Sequence, residues 1–450
     1  MGQEFGEGAS LDIAVVGSGI AGLGAAWLLG QQHRVTLYEA EGRLGGHSNT
    51  VMVDDAGREL AIDTGFIVYN ARNYPNLVAL FDLLDVPTRA SDMSFAASLD
   101  GGRFEYAGGD LAGLFAQPSN LLRGRFWRML RDVLRFYREA PGYLAGPAAE
   151  WSLGELLARH GYSREFARDH LLPMAAAIWS ASAEDIGAYP ARTFIRFCDN
   201  HGLLQLSDRP QWRTVVGGSR TYVARLRESL SGAVHVGVPV TRVERGPRGP
   251  HVTTADGVTS AFDHVVLATH ADQSLALLAD ASRDERRRLS AFRYAPNRAM
   301  LHTDRRLMPR RRRAWSSWNF LADDTRSELC VSYWMNRLQS LDSARDWFVT
   351  LNPSVEPDPA QCHFTTTYAH PQFDAAAIAA QDTLWDIQGQ RGTWFCGAWC
   401  GYGFHEDGLQ AGLLVAEQLG DVARPWGMPA QPSRVALPPA GWRHALASAA

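Results

Sequence analysis

The sequence contains no lysine, so arginine supplies all 44 of its Lys-plus-Arg positions. No ε-amino group is therefore available as a base or for a Schiff base with a carbonyl substrate. Cysteine is scarce, and five scattered residues predict reduced thiols and a cytoplasmic protein. Cys396 and Cys400 have no second cluster to complete a metal site, so no metal is expected. The net charge of -4 excludes a general nucleic-acid binder. Neither a run of about 18 apolar residues nor a signal peptide is evident.

A glycine-rich turn near the N-terminus is the most informative feature present. An apolar strand over 11–16 runs into the Gly17–Gly22 segment, Gly-Ser-Gly-Ile-Ala-Gly, and an apolar helix follows. The first glycine permits a tight turn, the second lets a pyrophosphate approach the backbone, and the third lets the helix pack on the strand. A second strand ends at Glu39, where a carboxylate can bind ribose hydroxyls. This order predicts a dinucleotide site, and an ordinary β-α-β unit is the alternative.

The segment after the second strand resembles the flavin amine oxidase and phytoene desaturase superfamily. It reads Glu-Ala-Glu-Gly-Arg-Leu-Gly-Gly over 39–46. In that family the arginine and the glycine pair surround the pyrophosphate and ribityl chain of FAD, and a bidentate guanidinium suits a phosphate. His47 stands where the family has a second arginine.

The C-terminal region resembles the other end of the same cofactor site. A strand ends at Gly397, and a glycine-rich loop opens a helix that we place near Gly408. In the family such a helix directs its N-terminal N–H groups at the pyrimidine end of the isoalloxazine. Ala398 stands where relatives carry an acid, and His270 replaces a usual proline. Two separate motifs of one site imply FAD and not NAD.

The resemblance assigns site residues by position. The catalytic candidates are His405, as a polar group at the ring, with Tyr402 and Glu406, and Asp407 as a further possible base. Capping roles are the alternative for these polar residues. The cofactor-binding residues implied are Gly17, Gly19, Ile20, Ala21, Gly22, Glu39, Ala40, Arg43, Gly45, Gly46, His47, Gly65, Phe66, Val240, Ala268, Thr269, Gly397, Gly408, Leu409 and Gln410.

The expected fold is α/β: a Rossmann-like FAD-binding domain of the GR2 type with an inserted α+β substrate domain. At 450 residues the chain is long enough for two cores. We place the FAD domain at 10–95, 210–290 and 390–423, the helical part of the substrate domain at 96–209, and its sheet part at 291–389. A proline- and alanine-rich tail, 424–450, is expected to be loosely packed.

Two segments suggest a substrate class and a partner. The sequences of 63–70 and 401–408 resemble those of a bacterial group of FAD/NAD(P)-binding oxidoreductases associated with cyclopropane-fatty-acid synthases. The resemblance implies a hydrophobic, fatty-acyl or lipid substrate that is dehydrogenated by hydride transfer to flavin N5, and a methyltransferase of that type as partner.

Other functions stay open. One is an amine oxidase releasing hydrogen peroxide, with Tyr402 and Trp399 as aromatic cage; the missing lysine weakens it. Another is a flavin isomerase or a lipid-presenting partner that catalyses no net oxidation. The arginine-rich segment 123–138 has helical apolar spacing, and packing on its own domain or peripheral contact with an anionic membrane both fit. The basic run at 310–313 is expected to be a solvated loop.

Overall fold

A computed structural model describes residues 10–146, 150–179, 183–200, 202–205, 209–323, 330–427 and 433–442. The strands are β1 Asp12–Val16, β2 Arg34–Glu39, β3 Thr50–Asp55, β4 Arg58–Asp63, β5 Tyr69–Asn70, β6 Thr88–Ser91, β7 Phe95–Leu99, β8 Phe104–Ala107, β9 Trp212–Val215, β10 Ala233–Val236, β11 Val240–Gly246, β12 Gly249–Thr254, β13 Thr259–Ala261, β14 His264–Leu267, β15 Arg293–His302, β16 Trp318–Leu321, β17 Cys330–Trp334, β18 Phe348–Leu351, β19 Cys362–Gln372 and β20 Thr393–Phe395.

The α-helices are α1 Ile20–Leu29, α2 Pro75–Leu83, α3 Leu111–Leu114, α4 Gly124–Glu139, α5 Leu153–Arg159, α6 Arg164–Phe166, α7 Leu172–Trp179, α8 Ala183–Ala188, α9 Ala191–Asn200, α10 Arg220–Ser229, α11 Ala271–Leu277, α12 Arg283–Leu289, α13 Met335–Leu338, α14 Ala375–Asp382 and α15 His405–Gly420. None of the described helices is long and apolar enough to cross a bilayer.

A parallel sheet carries the nucleotide motif. Its strand order is β10-β2-β1-β14-β20, and its neighbouring strands all run parallel. Ile13, Val15 and Val265 are fully buried, as expected for a sheet covered on both faces. Helices α1 and α15 pack closely against each other, so segments from the first and last thirds of the chain meet.

A second, mixed sheet has the order β19-β15-β18-β17-β16-β7-β8. Strands β15 and β19 pair in antiparallel fashion from Arg293–Gln372 to His302–Cys362, whereas β16 and β7 pair in parallel. A separate hydrophobic core joins this sheet to the helical stretch that begins at α3. Two cores, with strands drawn from interleaved parts of the chain, confirm the predicted α/β fold class with an inserted α+β unit.

Helix α4 confirms the helix predicted over 123–138. Phe126, Met129, Val133 and Phe136 are buried against the second core. The helical spacing predicts one apolar face made of Phe126, Leu130, Val133, Leu134 and Tyr137, but Leu134 is 47% exposed. Phe136, which that face leaves out, is fully buried.

The arginine run at 310–313 is an exposed stretch, as expected, with Arg310, Arg312 and Arg313 all exposed. Two of its arginines are also paired, Arg311 with buried Glu105 at 2.9 Å and Arg312 with Asp346 at 2.8 Å. The expectation of a loosely packed tail, in contrast, is wrong for the described residues. The described parts of the tail, 424–427 and 433–442, pack on the first core, where Trp426 stacks on Trp27 and Trp442 contacts Trp385 at 5.0 Å between ring centroids. The rest of the expected loose tail, 428–432 and 443–450, lies outside the described residues.

Candidate functional site

The glycine turn between β1 and α1 is built from backbone contacts. Gly17 has φ +99°, and its N–H donates to the Tyr38 carbonyl oxygen at 2.8 Å. A Cβ on Gly22 would lie 1.9 Å from the Gly17 oxygen, so only glycine fits there. A Cβ on Gly19, in contrast, would meet no atom within 4 Å. The second glycine therefore faces open space at the start of α1.

The N-terminus of α1 offers donors to an anion. Gly19 is its N-cap and no side chain caps the helix, so the N–H groups of Ile20 and Ala21 have no intrahelical partner. No acidic side chain lies in the first turn either. The helix dipole and these free N–H groups together favour a phosphate at this point.

Glu39 lies beside this helix start, at the end of β2. One carboxylate oxygen accepts from the Ser18 N–H at 2.9 Å, and the other accepts from the Glu41 N–H at 2.8 Å. Ala40 between them is exposed. The Val238 N–H donates to the Glu39 carbonyl oxygen at 2.9 Å, and this brings Val240, two residues further on, to the same edge. The residues implied for the ribose and adenine end are thus neighbours.

The segment from Arg43 to His47 returns to the glycine turn. The Gly45 N–H donates to the Ser18 carbonyl oxygen at 3.0 Å. A Cβ on Gly46 would lie 3.1 Å from the Gly19 Cα. Arg43 donates to the Gly46 carbonyl oxygen at 2.8 Å and pairs with Glu41 at 2.9 Å, so its guanidinium folds over this loop.

Ala268 and Thr269 close the other side of the turn. The Ala268 N–H donates to the Val16 carbonyl oxygen at 2.8 Å. A Cβ on Gly17 would lie 2.9 Å from the Ala268 oxygen and 3.2 Å from Thr269 Cγ2. The two residues thus lie directly against Gly17.

The start of α15 also converges on α1. A Cβ on Gly408 would lie 2.9 Å from Ile20 Cγ2 and 3.5 Å from the Ala398 nitrogen, next to Gly397. Further along, a Cβ on Gly412 would lie 2.1 Å from the Ala21 carbonyl oxygen. The structure therefore brings the two predicted motifs together, although more than 300 residues of chain separate them.

The predicted start of this helix is wrong. Helix α15 begins at His405, three residues before Gly408. Leu409 and Gln410 lie in its second turn, where backbone N–H groups donate to the carbonyl four residues earlier. The Leu409 side chain packs against Gly24, and the Gln410 amide donates to Ser433 at 2.9 Å. Neither residue therefore offers the free donor expected of it, and the first-turn N–H groups belong to 405–407.

His405 belongs to a small polar cluster. Its ring stacks on Phe66 with centroids 3.8 Å apart, and its Nε2 lies 2.7 Å from the Tyr222 hydroxyl. That hydroxyl is 2.5 Å from Ser48 Oγ. Burial lowers the pKa of His405 to about 3. The imidazole is therefore neutral near pH 7 and is held in position by a stacking contact and a hydrogen bond.

Gly65 and Phe66 are fixed against the first flavin segment. A Cβ on Gly65 would lie 2.1 Å from the His47 oxygen, and the Phe66 N–H donates to that oxygen at 2.8 Å. This contact connects the Arg43–His47 loop to the His405 cluster.

The two acids beside His405 are occupied elsewhere. Glu406 accepts at 3.0 Å from the Asn76 and Leu77 N–H groups, and so caps α2. Burial raises its pKa to about 7, which these N–H donors oppose. Asp407 is buried and pairs with Arg434 at 2.8 Å. Both geometries match the capping and structural alternative better than that of a base.

The two aromatic candidates differ. Tyr402 is half-buried near Arg434, whose Cζ lies 5.6 Å from the ring centroid, and its ring centroid lies 6.4 Å from that of Phe197 in the helical part. Trp399, by contrast, is 2% exposed and donates to the Thr269 carbonyl oxygen at 3.0 Å. Trp399 is a core residue, so its expected place in an aromatic cage is wrong.

Three imidazoles form a second cluster that sequence reasoning did not assemble. The ring centroid of His47 lies 6.0 Å from that of His270, 5.7 Å from that of His370 and 4.9 Å from that of Tyr368. His270 stacks on Tyr294 at 4.4 Å. Burial lowers the pKa of His370 to about 4 and also lowers the pKa values of the other two histidines. His47 and His270 stood out as departures from the family pattern, whereas nothing in the sequence marked His370, Tyr222 or Ser48.

These residues fit FAD. Gly19 leaves open space beside an uncapped helix N-terminus, which suits a pyrophosphate. Glu39 lies at the end of β2, where ribose hydroxyls are bound in this kind of fold. The first turn of α15 adds a second positive helix end close to the first. No group of histidine, cysteine and acidic residues suited to a metal ion occurs among the described residues.

A family model described as flavin containing amine oxidoreductase matches residues 20–420. The putative flavin-containing monoamine oxidase AofH of Mycobacterium tuberculosis is 28% identical over 263 residues, 56% of this chain and 55% of that protein. The match thus spans about half the length of this curated relative. A CLA-producing fatty acid isomerase from P. acnes has a TM-score of 0.63 at 17% identity, covering 89% of this chain and 97% of that one. Cyclohexylamine oxidase from Brevibacterium oxydans has a TM-score of 0.62 at 15% identity, with 92% and 99% covered. At these identities the solved structures show a shared fold.

Proposed function

We propose that this protein, which belongs to the flavin containing amine oxidoreductase family, dehydrogenates a hydrophobic substrate, either a fatty-acyl chain or another lipid. Membership of the family makes it an oxidoreductase with FAD as its cofactor. The proposal rests on one observation above others: the imidazoles beside the flavin motifs pack among aromatic rings, and the desolvation that lowers their pKa values favours the neutral form near pH 7. An uncharged hydrocarbon is the substrate class that such surroundings accept without a counter-ion.

The evidence for neutral surroundings comes from both histidine clusters. Burial lowers the pKa values of His405 and His370 to about 3 and about 4, and it also lowers the pKa of His47 well below its usual value. The acids predicted nearby are engaged by other groups, because Glu406 caps α2 and Asp407 pairs with Arg434. Phe66, Tyr294 and Tyr368 add aromatic surface.

The protein's own groups would position the substrate and exclude water. Bound FAD supplies a hydride acceptor at N5. Stacking on Phe66 fixes the plane of His405, and the Tyr222 hydroxyl fixes its Nε2. Because the imidazole is neutral, whichever nitrogen lacks a proton accepts a hydrogen bond. We propose that His405 and Tyr222 form the polar end of an otherwise apolar site, and that Tyr402 lines its boundary with the helical part.

Two alternatives have specific support. The curated relative is named a putative monoamine oxidase, which supports amine oxidation with release of hydrogen peroxide. The P. acnes relative in fold is named a fatty acid isomerase, which supports double-bond migration without net oxidation. The three reactions differ in product. Dehydrogenation removes two hydrogens, isomerisation leaves the mass unchanged, and amine oxidation yields an aldehyde or ketone.

The decisive experiment uses the purified FAD-loaded protein under anaerobic conditions. Fatty acids, acyl lipids and primary amines are added separately, flavin bleaching is followed, and products are identified by mass spectrometry. We expect bleaching and a product two hydrogens lighter with an acyl substrate. Bleaching by amines alone, or an acyl product of unchanged mass, would refute the proposal. A deletion strain with an unchanged lipid profile would also count against it.

Tyr222→Phe separates the cluster's role from folding. Loss of the hydroxyl leaves His405 without its 2.7 Å partner, so turnover should fall by about one to two orders of magnitude while FAD stays bound. Tyr143→Phe is the matched control, because that hydroxyl bonds Glu139 on α4. Equal rates for both variants would remove Tyr222 from the site.

We also propose a cyclopropane-fatty-acid-synthase-like methyltransferase as a partner, and a cytoplasmic protein with peripheral access to the inner face of the membrane. The partner is implied by the resemblance of 63–70 and 401–408 to the cyclopropane-fatty-acid-synthase-associated group, and the membrane access by the lipid substrate class. Co-purification of the full-length protein with a methyltransferase from its native cells tests the first, and cell fractionation tests the second.

A further inference from the structure

Exposed apolar side chains gather on one part of the helical unit. Leu122 is 92% exposed, Leu111 73%, and Leu121, Trp127 and Leu134 are each 47% exposed. These residues lie within 24 positions of one another in sequence, and we call them the Leu/Trp face. Scattered single residues of this kind need no explanation, whereas a cluster marks an interaction site.

Contacts hold the Leu/Trp face together. The Trp127 indole N–H donates to the Leu121 carbonyl oxygen at 2.9 Å, so the loop that carries Leu121 and Leu122 lies against α4. Phe115 contacts Trp127 at 6.4 Å between centroids, and its N–H donates to the Leu111 carbonyl oxygen at 3.1 Å. The exposed side chains therefore come from three successive elements that touch one another.

Arginines alternate with the apolar residues along α4. Trp127, Arg131, Leu134 and Arg138 follow one another at helical spacing, and all four are exposed. The Arg131 and Arg138 side chains are 68% and 76% exposed. The exposed face of α4 therefore carries both apolar and basic side chains.

Near the Leu/Trp face, acidic groups lie closer to the protein interior than the arginines that bind them. Arg125 is bound by Asp100 and Asp169, Arg128 by Glu165, and Arg131 by Asp132, while Arg135 and Arg138 share Glu139. The acids lie inward, since the Asp132 side chain is fully buried and that of Glu139 is 30% exposed. Arg123 bonds the Arg103 carbonyl oxygen and Asn120. Along α4 the outermost charges are therefore guanidinium groups. Beside Leu111, the exposed Asp110 accepts from the Gly113 N–H and caps α3.

We propose that the Leu/Trp face docks on the surface of an anionic lipid bilayer. Leucine and tryptophan side chains enter the boundary between headgroups and acyl chains, and outward arginines meet lipid phosphates. Charge complementarity favours this occupant over a second copy of the chain, because two such faces would bring guanidinium groups together. The inference does not depend on which substrate the flavin site takes.

The test is co-sedimentation of the FAD-loaded protein with vesicles of phosphatidylcholine, alone or mixed with phosphatidylglycerol. We expect binding to the mixed vesicles, weakened by salt. The double variants Leu122→Ser/Trp127→Ala and Arg131→Gln/Arg138→Gln should each weaken binding about tenfold or more. Val258→Ser/Val355→Ser and Arg287→Gln are matched exposed controls and should bind as the parent does.

The replaced side chains are exposed, and in Arg131→Gln the buried Asp132 keeps the Ser163 N–H as a donor at 2.8 Å. The variants should therefore fold, with unfolding midpoints close to the parent's. The proposal is overturned if the parent protein does not bind vesicles that contain phosphatidylglycerol. It is also overturned if the control variants weaken vesicle binding as much as the variants of the Leu/Trp face do. A dimer in light scattering that Leu122→Ser/Trp127→Ala dissociates, without vesicle binding by the monomer, would assign the face to a second copy. A protein partner that binds the Leu/Trp face, without any binding of the protein to vesicles, would overturn the proposal.

Discussion

Gly19→Ala should separate cofactor binding from folding. The residue has φ -62° and ψ 175°, which alanine adopts without strain, and the new Cβ would meet no protein atom within 4 Å. Gly19 is the N-cap of α1, and alanine is a poorer N-cap than glycine. The expected loss of folding stability is therefore only about 0.5–1 kcal/mol.

The expected loss of FAD affinity is much larger. The added methyl group would occupy the space through which a pyrophosphate reaches the N–H groups of Ile20 and Ala21. Hydrogen bonds to charged groups contribute about 1.5–3 kcal/mol each. Loss of two such bonds amounts to about 3–6 kcal/mol, or a dissociation constant raised about 10²- to 10⁴-fold.

The measurement is titration of the FAD-free protein with FAD, followed by flavin fluorescence, beside a thermal unfolding curve of each FAD-free variant. Gly142→Ala is the control, since its Cβ also meets nothing within 4 Å and it lies in the helical unit. Affinity equal to the parent's in folded Gly19→Ala protein would refute the placement of the pyrophosphate. An unfolded Gly19→Ala protein would refute the claim that this glycine faces open space.

Three further changes test packing and charge. Gly412→Ala places a Cβ 2.1 Å from the Ala21 carbonyl oxygen, so α1 and α15 must separate; we expect a loss of about 1–3 kcal/mol in chemical denaturation together with weaker FAD binding. His302 is fully buried, and burial lowers its pKa to about 4, so between pH 6.5 and 4 the unfolded chain binds a proton that the folded state does not. The free energy of unfolding should therefore fall by about 3 kcal/mol as the pH drops from 6.5 to 4. In urea unfolding at several pH values, His302→Asn should reduce the slope of unfolding free energy against pH by the equivalent of one proton. Arg434→Met leaves buried Asp407 unpaired and should cost about 3–5 kcal/mol, most of which Asp407→Asn should restore in the double variant; additive losses would contradict the ion pair.

The parts of the site that local sequence could predict are those made by neighbouring residues and backbone. The turn at Gly17, the helix start after Gly19 and the acid at Glu39 form one β-α-β unit, and each carries its structural reason in its own residue type. The fold class was predicted from the resemblance of the two glycine-rich motifs to a flavoprotein family, and the matching family model supports it.

Side-chain roles at the start of α15 were not predictable in this way. Glu406 is bound by Asn76 and Leu77, and Asp407 by Arg434. The first two partners lie about 330 positions away in sequence. A short acidic pair after a histidine has the same pattern whether it caps its own helix, caps another or faces a substrate. Only the tertiary contacts distinguish these cases.

The two departures from the family pattern, His47 and His270, are neighbours in the structure. Both positions carry histidine, and their rings lie 6.0 Å apart in a half-buried cluster with His370. An arginine at 47 could not lose its charge, whereas burial and the neighbouring imidazoles lower the pKa of His47 so that it stays neutral. Arg43 already places one guanidinium at the Gly46 loop. Histidine at 47 therefore removes a fixed charge from this side of the site, and the ring of His270, stacked on Tyr294, fills space next to it without adding one.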